Sequence, residues 1–289
     1  MRDYLLLTKP TIVLLVVVTA LAGFVVEGSL LGHPGRLLLE LFAITMTAGS
    51  ANAFNQYFER DLDAAMARTR IRRPLPRGRV SPRGALWFAI GVGAASVLIL
   101  AVVANALSAW HAFGTIVFYG FFYTLWLKPR TVHNIVIGGA AGAMGPVIAW
   151  AAASGRLAPA PLLLFLIIFL WTPPHFWALA VCVQDDYRKV KIPMLPVVKG
   201  NAETYRQIER YTIALVLLTL GMPFLHSGGL VFVCFALALG AVFLWKAIRA
   251  RRLATARSAW DVFGYSILYL FVLFLGIIVD AIWRIPLRA

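Results

Sequence analysis

Charged side chains are scarce in this 289-residue chain: Asp, Glu, Lys and Arg make up 13% of it, against 61% hydrophobic residues. A soluble globular domain carries about 25% charged residues, so that class is excluded. Acids are scarcer still, 12 against 27 Lys plus Arg, and none falls in the middle of a long apolar run. Two-residue alternation of apolar and polar positions is missing, which argues against a transmembrane β-barrel. The two cysteines, Cys182 and Cys234, lie far apart in apolar stretches. They have no metal-ligand spacing, and no disulfide is expected between them.

What is present is long apolar sequence. A helix crosses a bilayer with about 20 apolar residues, and a helix satisfies its own backbone in lipid. Apolar stretches at 10–26, 37–57, 84–105, 109–127, 134–153, 159–182, 211–226, 229–246 and 262–283 predict an all-α bundle of about nine spans in one domain over residues 1–289. Ala20-Leu-Ala22 resembles a signal-peptide cleavage site, but the charge sorting needs this run as the first span. All basic residues except Arg36, Arg156, Arg284 and Arg288 fall at the N-terminus or in connections after even-numbered spans. That asymmetry places the N-terminus and those connections in the cytoplasm and the C-terminus outside. The net charge of +15 is therefore read as loop charge and not as a nucleic-acid footprint.

The acids sort the same way. Glu27, Glu40 and Asp280 lie toward the outer side, and the other nine lie on the cytoplasmic side. Asn55, Glu59 and Asp63 are spaced by four, so on a helix they stack along one face. Asp61 turns in only if the helix ends near it. Arginines follow, including Arg68, Arg72 and Arg73. After span six, Asp185 and Asp186 are followed by Lys189 and Lys191, and Lys128 and Arg130 follow span four. Oxygen ligands next to cations suit Mg²⁺ carrying a phosphate-rich ligand, the head of an isoprenoid diphosphate. The bland alternative is that acids and bases merely solvate the loops.

Within the spans, Tyr119, Phe121, Phe122, Tyr123, Trp126, Phe169, Trp171, Phe176 and Trp177 are candidates to face a carbocation, although packing is the commoner fate of membrane aromatics. Thr172-Pro173-Pro174-His175 is the most unusual stretch. Its prolines are expected to bend span six. His175, about 15 Å from the acids by helix rise, is either functional or bonded to backbone that the prolines free. Gly138, Gly139, Gly142 and Gly145 are expected to let span five pack closely. His33, His111, His133 and His226 carry little functional signal.

These strings resemble those of the protohaem IX farnesyltransferase (haem O synthase) family, within the intramembrane UbiA-type prenyltransferase superfamily. The residues that carry the likeness are Asn55-x-x-x-Glu59-Arg-Asp61-x-Asp63, Asn134-Ile-Val-Ile-Gly-Gly, Thr172-Pro-Pro-His-Phe-Trp and Asp186-Tyr with Pro193-Met-Leu-Pro196. The resemblance implies farnesyl transfer from farnesyl diphosphate to a vinyl group of haem B, with addition of water, giving haem O and diphosphate. It implies Asp63, Asp186 and His175 as catalytic residues, with Asn55, Glu59, Asp61, Asp63, Asp185 and Asp186 around Mg²⁺. Arg68, Arg72, Arg73, Lys128, Arg130, Lys189 and Lys191 would bind diphosphate. Haem B is then a substrate and not a cofactor. The setting would be a bacterial plasma or inner membrane, with haem A synthase or a terminal oxidase assembly as possible partners. The sequence departs from the superfamily pattern at Glu59, which replaces an Asp, and at Val190, where a second acid is missing. A prenyltransferase of a quinone or chlorophyll precursor uses the same acids. A secondary transporter would instead place ionisable residues near the midplane.

Overall fold

The computed structural model describes residues 2–222 and 229–283, and the described residues are helical with no strand. A short helix α1 (Arg2–Leu7) leads into α2 (Pro10–Glu27) and α3 (Pro34–Phe58). Two short helices, α4 (Arg60–Ala65) and α5 (Ala67–Arg70), cap the end of α3. Next, α6 (Pro82–Ile99) continues into a π-helical turn, Leu100–Ala104, and α7 (Ala106–Val117) continues into a longer π-helical stretch, Phe118–Leu127. The chain goes on through α8 (Asn134–Gly142), α9 (Gly145–Ser154), α10 (Pro159–Cys182), α11 (Gln184–Lys189) and α12 (Leu195–Val198). It ends with α13 (Gly200–Gly221), α14 (Leu230–Leu253) and α15 (Ala256–Trp283).

Among the described residues, seven stretches are long and apolar enough to cross a membrane: Pro10–Glu27, Pro34–Phe58, Pro82–Ala104, Asn134–Ser154, Pro159–Cys182, Leu230–Leu253 and Ala256–Trp283. This is a multi-pass helical membrane protein. The other two expected spans are helical but less apolar. The stretch 109–127 is diluted by His111, Thr115, Tyr119 and Thr124. The stretch 211–226 shares α13 with a polar first half, and its expected end, with Pro223, lies outside the described residues. His226, Arg284 and Arg288 lie outside them too. Span five is two helices, α8 and α9, with Gly142 and Gly145 at the junction.

Proline opens α2, α3, α6, α9 and α10 within the first two helical positions, where its missing N–H costs nothing. Pro173 and Pro174 sit inside α10, which runs from Pro159 to Cys182. Between helices there is little hydrophobic drive in lipid, so close approach and polar ties hold the bundle. Helix α3 packs on α6; α10 packs on α8, α13 and α15; α2 closes against α9 and α15. Asn105 ties α7 to α9 by donating to the carbonyls of Ala151 (2.7 Å) and Ala152 (3.1 Å). Asp280 caps α14, accepting the N–H groups of Gly229 (2.5 Å) and Phe232 (3.0 Å). This supplies acceptors for two of the donors that a helix start leaves free.

Candidate active site

The acidic stretch is folded by a break in the helix. Helix α3 ends at Phe58, Glu59 adopts φ −91° and ψ 6°, and α4 restarts at Arg60. Across this break Asn55, Glu59 and Asp63 are all buried, Asp63 completely. Asp61 stays on the far side: its side chain is 88% exposed and 3.8 Å from Arg60.

Three cations close on these oxygens from separate parts of the chain. Lys128 bonds Glu59, and Arg73 bonds Asp63 while lying 3.6 Å from Glu59. Lys9 Nζ donates to Asn55 Oδ1 at 2.9 Å. Each has a local reason to be there. The π-helical stretch shifts the helical register by one residue: Lys128 N–H bonds the Tyr123 carbonyl (2.9 Å) and Thr124 Oγ1 bonds the Tyr119 carbonyl (2.7 Å). Thr124 Oγ1 also accepts Asn55 Nδ2 at 3.1 Å, which fixes this stretch against α3. Arg73 is folded back by Thr69, whose hydroxyl donates to the Asp63 carbonyl (2.9 Å) and whose carbonyl accepts Arg73 N–H (2.9 Å). Lys9 is placed by two amides of α3. Gln56 donates to the carbonyls of Leu6 and Leu7 (2.9 Å each), and Asn52 donates to that of Thr8 (3.0 Å).

The second acidic stretch meets the first. Asp186, on α11, accepts the backbone N–H groups of Ala67 (3.3 Å) and Arg68 (3.4 Å). Asp185 does not join: its side chain is 80% exposed and pairs with Arg188 at 3.1 Å. Arg68 is half-buried, while Arg72, Lys189 and Lys191 are exposed. Arg130 turns back to the carbonyls of Leu125 (3.1 Å) and Trp126 (3.3 Å) at the end of the π-helical stretch.

Burial and charge compete here. Burial pushes the Glu59 carboxyl upward, but Lys128, Arg73 and Lys9 outweigh it and hold it below its ordinary value. At Asp63 burial wins, helped by Glu59, and the carboxyl is raised despite Arg73. Burial, and then Arg73, push the Lys9 ammonium down to about 7, against the pull of Glu59. Asp63 Oδ1 is buried without a hydrogen-bond partner, which is costly unless something binds it. Among the described residues no group of three or more His, Cys, Asp or Glu is drawn together as a metal cage. The cations now hold most of these oxygens. Hard carboxylate and amide oxygens with one orphaned atom fit Mg²⁺ shared with phosphate oxygens.

His175 is bonded to a side chain of another helix and not to backbone freed by the prolines. Its Nδ1 lies 2.7 Å from Ser266 Oγ on α15. Ser266 Oγ donates to the Phe263 carbonyl at 2.6 Å, so it accepts from His175 Nδ1–H, and the lone pair is left on Nε2. The ring stacks between Trp171 (4.3 Å) and Phe263 (4.7 Å). Trp171 is anchored through its indole N–H on the Ser266 carbonyl (2.6 Å).

Tyr119 and Tyr123 stack 5.2 Å apart beside the acids. A Cβ on Gly138 would fall 2.4 Å from the Tyr123 ring, and one on Gly139 would fall 2.9 Å from the Thr172 side chain. Gly142, by contrast, faces open space. Lys9, Asn52, Gln56, Thr124 and Ser266 are the residues here that sequence reasoning missed. The signal that could have found the amides is their spacing: Asn52, Asn55 and Gln56, three and four apart, share a face of α3.

Comparison with known proteins places the chain in a family. The family model described as the UbiA prenyltransferase family matches residues 16–276. A protoheme IX farnesyltransferase of Afipia carboxidovorans is 49% identical over 277 residues, covering 94% of this chain and 88% of that protein. A structure of digeranylgeranylglyceryl phosphate synthase superposes with TM-score 0.79 at 17% identity, covering 98% of each chain. A UbiA homolog from Archaeoglobus fulgidus, bound to GPP and Mg²⁺, superposes with TM-score 0.66 at 16% identity, covering 96% of this chain and 99% of that one. The chain belongs to the UbiA prenyltransferase family and is an enzyme that transfers prenyl groups.

Proposed function

We propose that the enzyme transfers the farnesyl group of farnesyl diphosphate to a vinyl group of haem B, with addition of water, giving haem O and diphosphate. The observation that carries the reading is the meeting of two distant acidic stretches, Asp186 on the Ala67 and Arg68 N–H groups beside buried Asn55, Glu59 and Asp63. The name of the 49% identical relative supports the choice of acceptor. In this reading Asn55, Glu59, Asp63 and Asp186 would hold Mg²⁺, which when bound neutralises charge on the diphosphate. Arg73 and Lys128 then transfer their charge from the carboxylates to the phosphate oxygens as the C–O bond breaks. Tyr119 and Tyr123 face the allylic cation, and it alkylates the vinyl carbon. Water takes up the remaining positive charge on the substituent and releases a proton. The site faces the cytoplasm, by the sorting of basic residues.

His175 orients the haem in this reading, with Ser266 holding the tautomer that leaves Nε2 open. The test is to incubate membranes containing the protein with haem B, farnesyl diphosphate and Mg²⁺. The mass of hydroxyethylfarnesyl haem supports the reading. Prenylation of 4-hydroxybenzoate and not of haem B would move the enzyme to the quinone branch.

A further inference from the structure

We propose that Lys9 is a further diphosphate-binding residue, one that holds the Asn55 carboxamide oxygen and competes for that oxygen with the metal. The inference rests on the diphosphate-and-Mg²⁺ reading of this site and adds to it a residue from outside both acidic stretches.

The geometry is specific. Lys9 Nζ donates to Asn55 Oδ1 at 2.9 Å, while Asn55 Nδ2 is committed to Thr124 Oγ1 at 3.1 Å. The Asn55 oxygen is the only oxygen of that side chain, so an ammonium and a cation cannot both take it from the same direction. Lys9 is delivered by a built support. Helix α1 and the residue after it are tied to α3 through three carbonyls, those of Leu6, Leu7 and Thr8, each accepting from a side-chain amide. Between that support and Pro10, Lys9 adopts φ 55° and ψ 67°. A residue before proline is disfavoured in the right-handed region, and the left-handed one costs a non-glycine residue about 1 kcal/mol or more. Such a conformation persists when the surroundings over-determine it.

Charge balance points to an anionic ligand. Lys9, Arg73 and Lys128 bear on only two buried carboxylates, Glu59 and Asp63. The ammonium surplus has no protein carboxylate of its own: its bond is to a neutral amide. The three cations are partly buried; an excess of cation over acid in such a place is unfavourable unless an anion completes it, and a diphosphate has charge enough to do so.

The experiment uses the full chain in detergent and two probes, Mn²⁺ followed by electron paramagnetic resonance and inorganic diphosphate followed by calorimetry. In Lys9→Met, Mn²⁺ alone binds about tenfold more tightly, because the competitor for Asn55 is gone. Diphosphate in the presence of Mn²⁺ binds about tenfold more weakly, as loss of a charge-assisted bond requires. Lys9→Arg restores diphosphate binding. Opposite movement of the two affinities is the signature. If both affinities fall together, with a lowered Tm, Lys9 only pins α1 and the proposal is overturned; unchanged affinities overturn it as well. If the wild-type protein itself binds neither Mn²⁺ nor diphosphate, the functional reading falls and takes the proposal with it, a failure told apart by its presence in the wild type.

Discussion

Asp186 lies against Arg68: its carboxylate accepts the Arg68 N–H at 3.4 Å across 118 positions of sequence. Through that contact and the neighbouring one to Ala67, the loop after α3 and the loop after α10 become one site. The acids in it are not equivalent, because burial separates those that turn inward from those that stay in water.

Asp63→Asn and Asp186→Asn are expected to lower turnover with haem B, farnesyl diphosphate and Mg²⁺ by about 100-fold or more, the scale of lost transition-state charge stabilisation. Asp61→Asn and Asp185→Asn change it by less than about threefold, since exposed pairs to Arg60 and Arg188 contribute little. Product formation measured by mass in all four variants checks the division. Equal losses in all four would contradict it.

Lys9 gives the metal-free protein a pH signature. Its ammonium, pushed down to about 7 from an ordinary 10.5, binds its proton less readily folded than unfolded. The unfolded state therefore holds more protons between these two values, and stability from this group rises with pH across that window. Below about pH 7 the penalty is fully present. Thermal unfolding in detergent from pH 6 to 10 should show this rise in the wild type, and Lys9→Met should flatten it. A parallel profile in the variant would assign the rise elsewhere.

Gly138→Ala drives a methyl into the Tyr123 ring, 2.4 Å from the Cβ position. Overpacking of this kind costs about 1–3 kcal/mol, and here it also displaces the π-helical stretch that carries Thr124 and Lys128. Lower Tm and lower turnover are expected together. Gly142→Ala, with open space at its Cβ, should leave both near wild type.

Ser266→Ala removes the acceptor that fixes the His175 tautomer. In the proposed reading it weakens haem B binding by about tenfold, the lower end of what loss of an orienting partner costs. His175→Ala weakens it further. Spectral titration of the haem Soret band measures both, and haem affinity unmoved in His175→Ala would end the assignment of His175 to the haem.

The sequence by itself determined that this is a polytopic helical membrane protein, because apolar blocks of bilayer length with few charges leave no other way to satisfy the backbone. It also put Asn55, Glu59 and Asp63 on one face by their spacing of four, and the bonds from Glu59 N–H to the Asn55 carbonyl and from Asp63 N–H to the Glu59 carbonyl carry that spacing across the break in the helix. It left open whether His175 bonds to backbone freed by the prolines; its partner is Ser266, 91 positions away. It likewise treated Lys9 as loop charge, although a hydrogen bond to Asn55, 46 positions away, draws it into the site. Periodicity is local, and so it reports which residues share a face of one helix. Only the tertiary structure decided which cations close on which oxygens, that Asp61 and Asp185 stay in water, and that a π-helical shift aims Lys128. Those choices depend on approaches between segments dozens of residues apart.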